Sequence, residues 1–256
     1  MSVKISGSGT VEPGSYEQIH ISGSGKITGP ISCSEFHCSG SVRCAVDVEV
    51  GGEMHLSGSA DVKGAVAADI LHVSGSASME RCTAATELKC SGSLKCAGQI
   101  QGGVMRVSGS LNGQGSIQAT ELSVSGILKC GGDLSAEDIN VRGVVDCEGL
   151  MNAEKIDIEF ARGMHIDSIG GGTVRIVPSR EGALLRLLPK LVGARGTVEV
   201  KNAIEADTVT LEAVYAQAVR GRTVVIGADC RIGLVQYSGT AEIDPSAHVE
   251  RCEKTE

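Results

Sequence analysis

The sequence predicts an all-β protein, a parallel three-sided β-helix or solenoid with coils of about 17 residues, and three observations carry that prediction. The first is a repeat. An apolar residue followed by Ser-Gly returns as Ile5-Ser6-Gly7, Ile21-Ser22-Gly23, Cys38-Ser39-Gly40, Leu56-Ser57-Gly58, Val73-Ser74-Gly75, Cys90-Ser91-Gly92, Val107-Ser108-Gly109 and Val124-Ser125-Gly126, and Val141-Arg142-Gly143 continues it. Successive anchors lie 16, 17, 18 and then repeatedly 17 residues apart, the signature of a repeat architecture. The second is alternation of apolar and polar residues around each anchor. The third is composition: 35 Gly among 256 residues, with two Phe, three Tyr and no Trp.

Each coil can be followed from its anchor. Two positions before it stand Ile19, Phe36, Met54, Leu71, Leu88, Met105, Leu122 and Ile139, all apolar. Between that column and the anchor lie His20, His37, His55, His72, Lys89, Arg106, Ser123 and Asn140. Apolar, polar, apolar is the period-2 pattern of a strand with one buried face. Gly two positions after the anchor marks a corner where a Cβ would clash. Six positions after it, Ile27, Cys44, Val62, Met79, Cys96, Gly113, Cys130 and Cys147 predict a second strand, and Gly29, Gly64, Gly98, Gly115, Gly132 and Gly149 a second corner. A third strand follows from the column Ile31, Val48, Val66, Thr83, Ile100, Ile117, Leu134 and Met151, with Cys33, Val50, Ala68, Ala85, Gly102, Ala119, Ala136 and Ala153 two residues on. Three short strands in 17 residues leave no room for a helix or a returning hairpin. Each strand must therefore pair with its counterpart in the next coil. A single coil cannot offset its own ordering entropy, so stability has to come from stacking. The scarcity of aromatics implies an interior too narrow for rings.

The same composition excludes other classes. With 41% apolar residues and a net charge of -8, the chain is neither a disordered polyelectrolyte nor, without a Gly-X-Y period, collagen-like. Neither half is basic, so no nucleic acid is expected as a partner. The start, MSVKISGSGTVEP, holds no apolar run resembling a signal peptide, so a cytoplasmic location with reduced cysteines is expected.

After Ile158 the spacing loosens. Residues 1–161 are expected to form about nine regular coils, 162–196 an irregular joint, 197–249 an irregular continuation of the solenoid, and 250–256 a polar tail. Val198, Val200, Val209, Leu211, Val224 and Ile226 keep strand-like alternation.

Four features bear on chemistry. Seven of the ten Cys stand in apolar columns, act there as small hydrophobes, and form no CxxC pair. His20, His37, His55 and His72 share one outward column and should stack about 4.8 Å apart. They are the candidate metal ligands; the alternatives are a pH-responsive stack or a solvated polar ladder. The Ser-Gly-Ser turns lie between strands and not at a helix N-terminus, so they are not phosphate cradles, and no Ser-His-Asp arrangement is recognisable, so no catalytic residues or cofactors are expected. The segment 180–195 mixes Leu184, Leu185, Arg186, Leu188 and Lys190; it either spans an irregular coil or touches a membrane surface or partner.

The stretches LHVSGSASMERCTAATELKCSGSLKCAG and VSGILKCGGDLSAEDINVRGVVDCEG, the latter with Gly-Gly-Asp-Leu ahead of Ala-Glu-Asp-Ile, resemble the bactofilins, polymer-forming bacterial cytoskeletal proteins. The resemblance covers roughly residues 38–160. It implies a right-handed β-helix, nucleotide-free filaments joined end to end, and a non-enzymatic scaffold role in cell shape, wall synthesis or motility, with further copies of the chain and other scaffold or membrane-associated proteins as partners. A solenoid end exposes strand edges and an apolar cross-section. Val3, Ile5 and Val11 at one end, and Val235, Tyr237 and Ile243 at the other, are thus the candidate self-association residues. The competing class is a β-helical enzyme of the hexapeptide acyltransferase type, which requires sustained six-residue steps; Ile226-Gly227 and Ile232-Gly233 supply one.

Overall fold

Alternation at every anchor becomes strand in the computed structural model, which describes residues 1–179 and 196–255 as twenty-five β-strands with no helix among them. Leu184, Leu185, Arg186, Leu188 and Lys190 lie outside the described residues. The chain divides into two compact units, Met1–Glu121 with Ile127–Lys129, and Leu122–Gly126 with Cys130–Glu256.

In the first unit one parallel ladder runs through β1 (Ser2–Ile5), β3 (Gly14–Ile21), β5 (Ile31–Cys38), β7 (Val48–Leu56), β9 (Ala65–Val73), β11 (Arg81–Cys90) and β13 (Ile100–Val107). A second parallel ladder runs through β2 (Ser8–Val11), β4 (Ser24–Ile27), β6 (Ser41–Cys44), β8 (Ser59–Val62), β10 (Ser76–Met79), β12 (Ser93–Cys96) and β14 (Ser110–Gly113). The longer strands are themselves bent. The register of β7 shifts between Val50 and Glu53, at Gly51-Gly52, so one coil has three flat sides. β15 (Ile117–Gln118), β16 (Glu121–Val124) and β17 (Ile127–Cys130) follow in sequence as three short strands.

The repeating Ser-Gly corner is held by the preceding coil. Ser39 N and Gly40 N both donate to Ile21 O, at 2.9 and 3.2 Å, and Ser41 N donates to Gly23 O at 2.8 Å. A Cβ on Gly40 would run into the carbonyl of Gly23 and lie 2.5 Å from that of Ser22. The corner stacks so closely that only Gly fits.

Inward side chains form continuous columns. Ile19, Phe36, Met54, Leu71, Leu88 and Met105 stack with essentially no solvent exposure, and among the described residues no polar or charged residue is buried. Two sequence expectations need correction. Phe36 and Phe160 are both buried, so the interior does admit rings. Phe36 shares its coil with inward Cys33, Cys38 and Cys44, whose small volume leaves the room it fills. Thr83 and Ala85 are exposed, while Cys82 and Ala84 point inward. Cys82 pairs with Val66 and Ile100, and the shift between Ala84 and Glu87 in β11 absorbs the residue that displaced the count.

The second unit contains β18 (Leu134–Ser135), β19 (Asp138–Val141), β20 (Val144–Phe160), β21 (Met164–Pro178), β22 (Val198–Leu211), β23 (Val214–Ile226), β24 (Arg231–Ile243) and β25 (His248–Lys254). β18 and β19 pair in parallel with β20, and β20 through β25 pair in parallel in sequence order. Residues 164–178, expected within the joint, form β21 in register with β20 and β22, Ile156↔Val174↔Val209. Residues 250–254, expected as tail, belong to β25. The shortened period appears as Val209↔Val224. Arg175 Nη1 meets Asp157 Oδ1 at 2.7 Å and Glu159 Oε1 at 3.4 Å, tying two neighbouring coils on the outer face. The bond to Asp157 raises the guanidinium pKa further.

Candidate functional site

The 17-residue period places one residue type above itself from coil to coil, and the His column shows what this can assemble. In the parallel register His20↔His37↔His55↔His72 the four rings form a line on the outer face of the first unit. Ring centroids are 6.1 Å apart for His20–His37, 5.1 Å for His37–His55 and 4.7 Å for His55–His72. The first two pairs are stacked, at 25° and 6° between planes. The third is edge-on, at 86°. Lys89 and Arg106 continue the column, and Arg106 Nη1 bonds Glu87 Oε1 at 2.7 Å.

The edge-on pair has a third member that the sequence reading missed. Glu53 precedes His55 by two residues on β7 and so projects from the same face. Its Oε1 lies 2.6 Å from His55 Nε2 and 3.3 Å from His72 Nδ1, and those two nitrogens are 3.3 Å apart. The three residues each offer a ligand atom within 4.8 Å of the others. All three are half-buried, so the cluster borders solvent. His72 Nε2 is buried without a hydrogen-bond partner, which leaves Nδ1 as the nitrogen His72 presents to the cluster. The Glu-x-His spacing was present in the sequence, but comparing like residues down one column does not detect it.

His20 stands apart. Its Nε2 is 3.0 Å from Ser22 Oγ, and among the described residues no carboxylate lies within ion-pair distance of it. A Ser-His-acid relay is therefore not assembled there.

None of the ten Cys is in a disulfide; nine are buried and Cys252 is exposed. Desolvation by burial pushes Cys33 and Cys90 up to about 11. Cys82 is pushed higher by burial, and Cys147 by its sulfur contact with Cys130 and then by burial. Thiols held in this state are poor nucleophiles and poor metal ligands.

The candidate association residues fall into two groups. Ile5 and Val11 point into the core of the first coil and Val3 is half-buried. β1 pairs with β3 and β2 with β4, and among the described residues neither has a strand on its other side. Val235 is fully buried and paired across to Cys252 in β25, so it does not stand at an edge. Tyr237 is half-buried opposite Lys254. Ile243 is exposed, and β25 stops short of covering it.

Two curated relatives share part of this sequence. Over 80 residues the chain is 45% identical to the uncharacterized protein YhbE of Bacillus subtilis strain 168, covering 30% of this chain and 31% of that protein. Over 91 residues it is 36% identical to the uncharacterized protein YhbF of the same organism, covering 36% of this chain and 34% of that protein. The chain thus spans about a third of the length of the curated relatives it matches. No family model matches the chain, and no solved structure matches it.

Proposed function

We propose that this chain is a non-enzymatic structural protein that associates with further copies of itself through an end coil, as its resemblance to the bactofilins implies. The observation that carries this reading is the edge of β1 and β2. Each strand has one parallel neighbour, and the outer edge of each meets no strand among the described residues. Unpaired edges of this kind are templates for another chain. Gly7 marks the same opening: a Cβ there meets nothing within 4 Å, whereas the equivalent Gly23 and Gly40 have the carbonyls of the preceding coil against them. The edge is also weakly charged, with Lys4 the one charged side chain in β1 and β2. β25, HVERCEK, carries several charges, the usual device against strand addition. The adhesive end is accordingly the one at β1 and β2.

Gly7→Val tests this directly, because its Cβ would meet nothing within 4 Å in the chain and would stand where the equivalent Gly23 and Gly40 meet a neighbouring coil. Sedimentation velocity and negative-stain electron microscopy should show assemblies for the parent and monomers for Gly7→Val, at equal thermal stability. A parent that stays monomeric at high concentration, or a Gly7→Val protein that assembles equally well, rejects the proposal.

A further inference from the structure

We propose that Glu53, His55 and His72 form a binding site for a late first-row divalent metal ion, with Zn2+ the leading occupant, that cross-links two successive coils of the first unit. The inference is independent of self-association. A tetrahedral ion held by ligands at 2.0–2.1 Å separates its ligand atoms by about 3.3 Å. The His72 Nδ1–His55 Nε2 and His72 Nδ1–Glu53 Oε1 distances are both 3.3 Å. The remaining edge, His55 Nε2–Glu53 Oε1, is a hydrogen bond of 2.6 Å that opens by a small rotation of a part-exposed carboxylate when a metal replaces the shared proton. Once that proton is displaced, three donor atoms face one point, and one cation satisfies them together.

Ring orientation explains why the site lies at this rung of the ladder. His37 and His55 are nearly parallel, so their lone pairs run side by side and do not meet. His55 and His72 are close to perpendicular, which lets an Nε2 and an Nδ1 face the same point. Burial of His72 Nε2 directs that ring's ligation to Nδ1. Two imidazoles and one carboxylate suit zinc or a neighbouring transition metal better than magnesium or calcium, which take oxygen donors. The part-exposed rim leaves a fourth position for water. Glu53 and His55 belong to β7 and His72 to β9, so the ion would join strands of adjacent coils.

The test uses the full chain stripped with chelator and titrated with Zn2+ by calorimetry, with Co2+ as a spectroscopic substitute. The expected result is one saturable site with tetrahedral Co2+ bands, and a thermal midpoint that rises with Zn2+. His72→Ala and Glu53→Gln should each weaken binding at least tenfold and remove the rise, and His20→Ala should change neither. Midpoints in chelator show whether each variant is folded; should His72→Ala fail to fold, Glu53→Gln, at a part-exposed position, decides. Absence of saturable binding, or binding that survives in both Glu53→Gln and His72→Ala, overturns the assignment.

Discussion

A Cβ on Gly58 would collide with the carbonyl oxygen of Gly40 and stand 2.6 Å from that of Ser39. The same approach recurs up the corner of the first unit, where each Gly from Gly23 to Gly109 lies against the backbone of the coil before it. The obstacle is main chain fixed by hydrogen bonds, Ser57 N and Gly58 N to Cys38 O and Ser59 N to Gly40 O, so it cannot rotate away as a side chain would.

Gly58→Ala should therefore lower the unfolding free energy by about 3 kcal/mol or prevent folding, at the upper end of overpacking effects. Gly7→Ala, in the same column with nothing within 4 Å, should stay within about 0.5 kcal/mol of the parent. Urea unfolding followed by circular dichroism measures both. Equal losses in the two variants would mean that the corner glycines act through chain flexibility and not through contact.

Phe36 stacks between Ile19 and Met54 and is buried. Its removal leaves a cavity that the neighbouring coils cannot close, because their own hydrogen-bonded backbones set the coil diameter. Phe36→Ala should cost about 3–5 kcal/mol. Phe36→Leu should cost less, and the order of the two urea midpoints checks the volume argument.

These positions also show what the sequence could reveal. The anchor column, the Gly corners and the His line were legible because a 17-residue period converts sequence separation directly into stacking. Ring orientation was not: whether His55 and His72 stack or meet edge-on depends on side-chain torsions, and Glu53 reaches the pair from a different column. Phe36 defeated a rule stated for the average coil, since volume is balanced within each coil and its neighbours there are Cys33, Cys38 and Cys44. Thr83 and Cys82 exchanged places because the corner between Ser78 and Arg81 is one residue short, a loss that the bulge between Ala84 and Glu87 makes good, and one residue turns a strand's buried face outward.

Cysteine accessibility gives an independent measure of core integrity. Nine thiols are buried and Cys252, in β25, is exposed. A thiol reagent such as Ellman's should therefore modify one Cys rapidly in the native protein and all ten in guanidinium. Cys252→Ser should abolish the rapid phase. Rapid modification of several thiols without denaturant would mean that the coils open on the timescale of labelling.

Alkaline pH should destabilise the folded state through the same thiols. Cys33 and Cys90 ionise near the ordinary value of 9 in an unfolded chain, whereas burial holds them protonated up to about 11 in the native one. Between these values the unfolded chain binds fewer protons, so unfolding is favoured as pH rises. The stabilisation is complete below pH 9 and is lost progressively through about pH 11, at no more than about 1.4 kcal/mol per pH unit for each thiol. Lys and Tyr titrate in the same window, so the informative quantity is the difference between proteins. Cys33→Ala and Cys90→Ala will each be less stable than the parent at pH 7 for lost packing, yet each should lose less on going from pH 9 to 11. Parallel stability curves for parent and variants across that interval would show that the buried thiols are not the groups that release protons on unfolding.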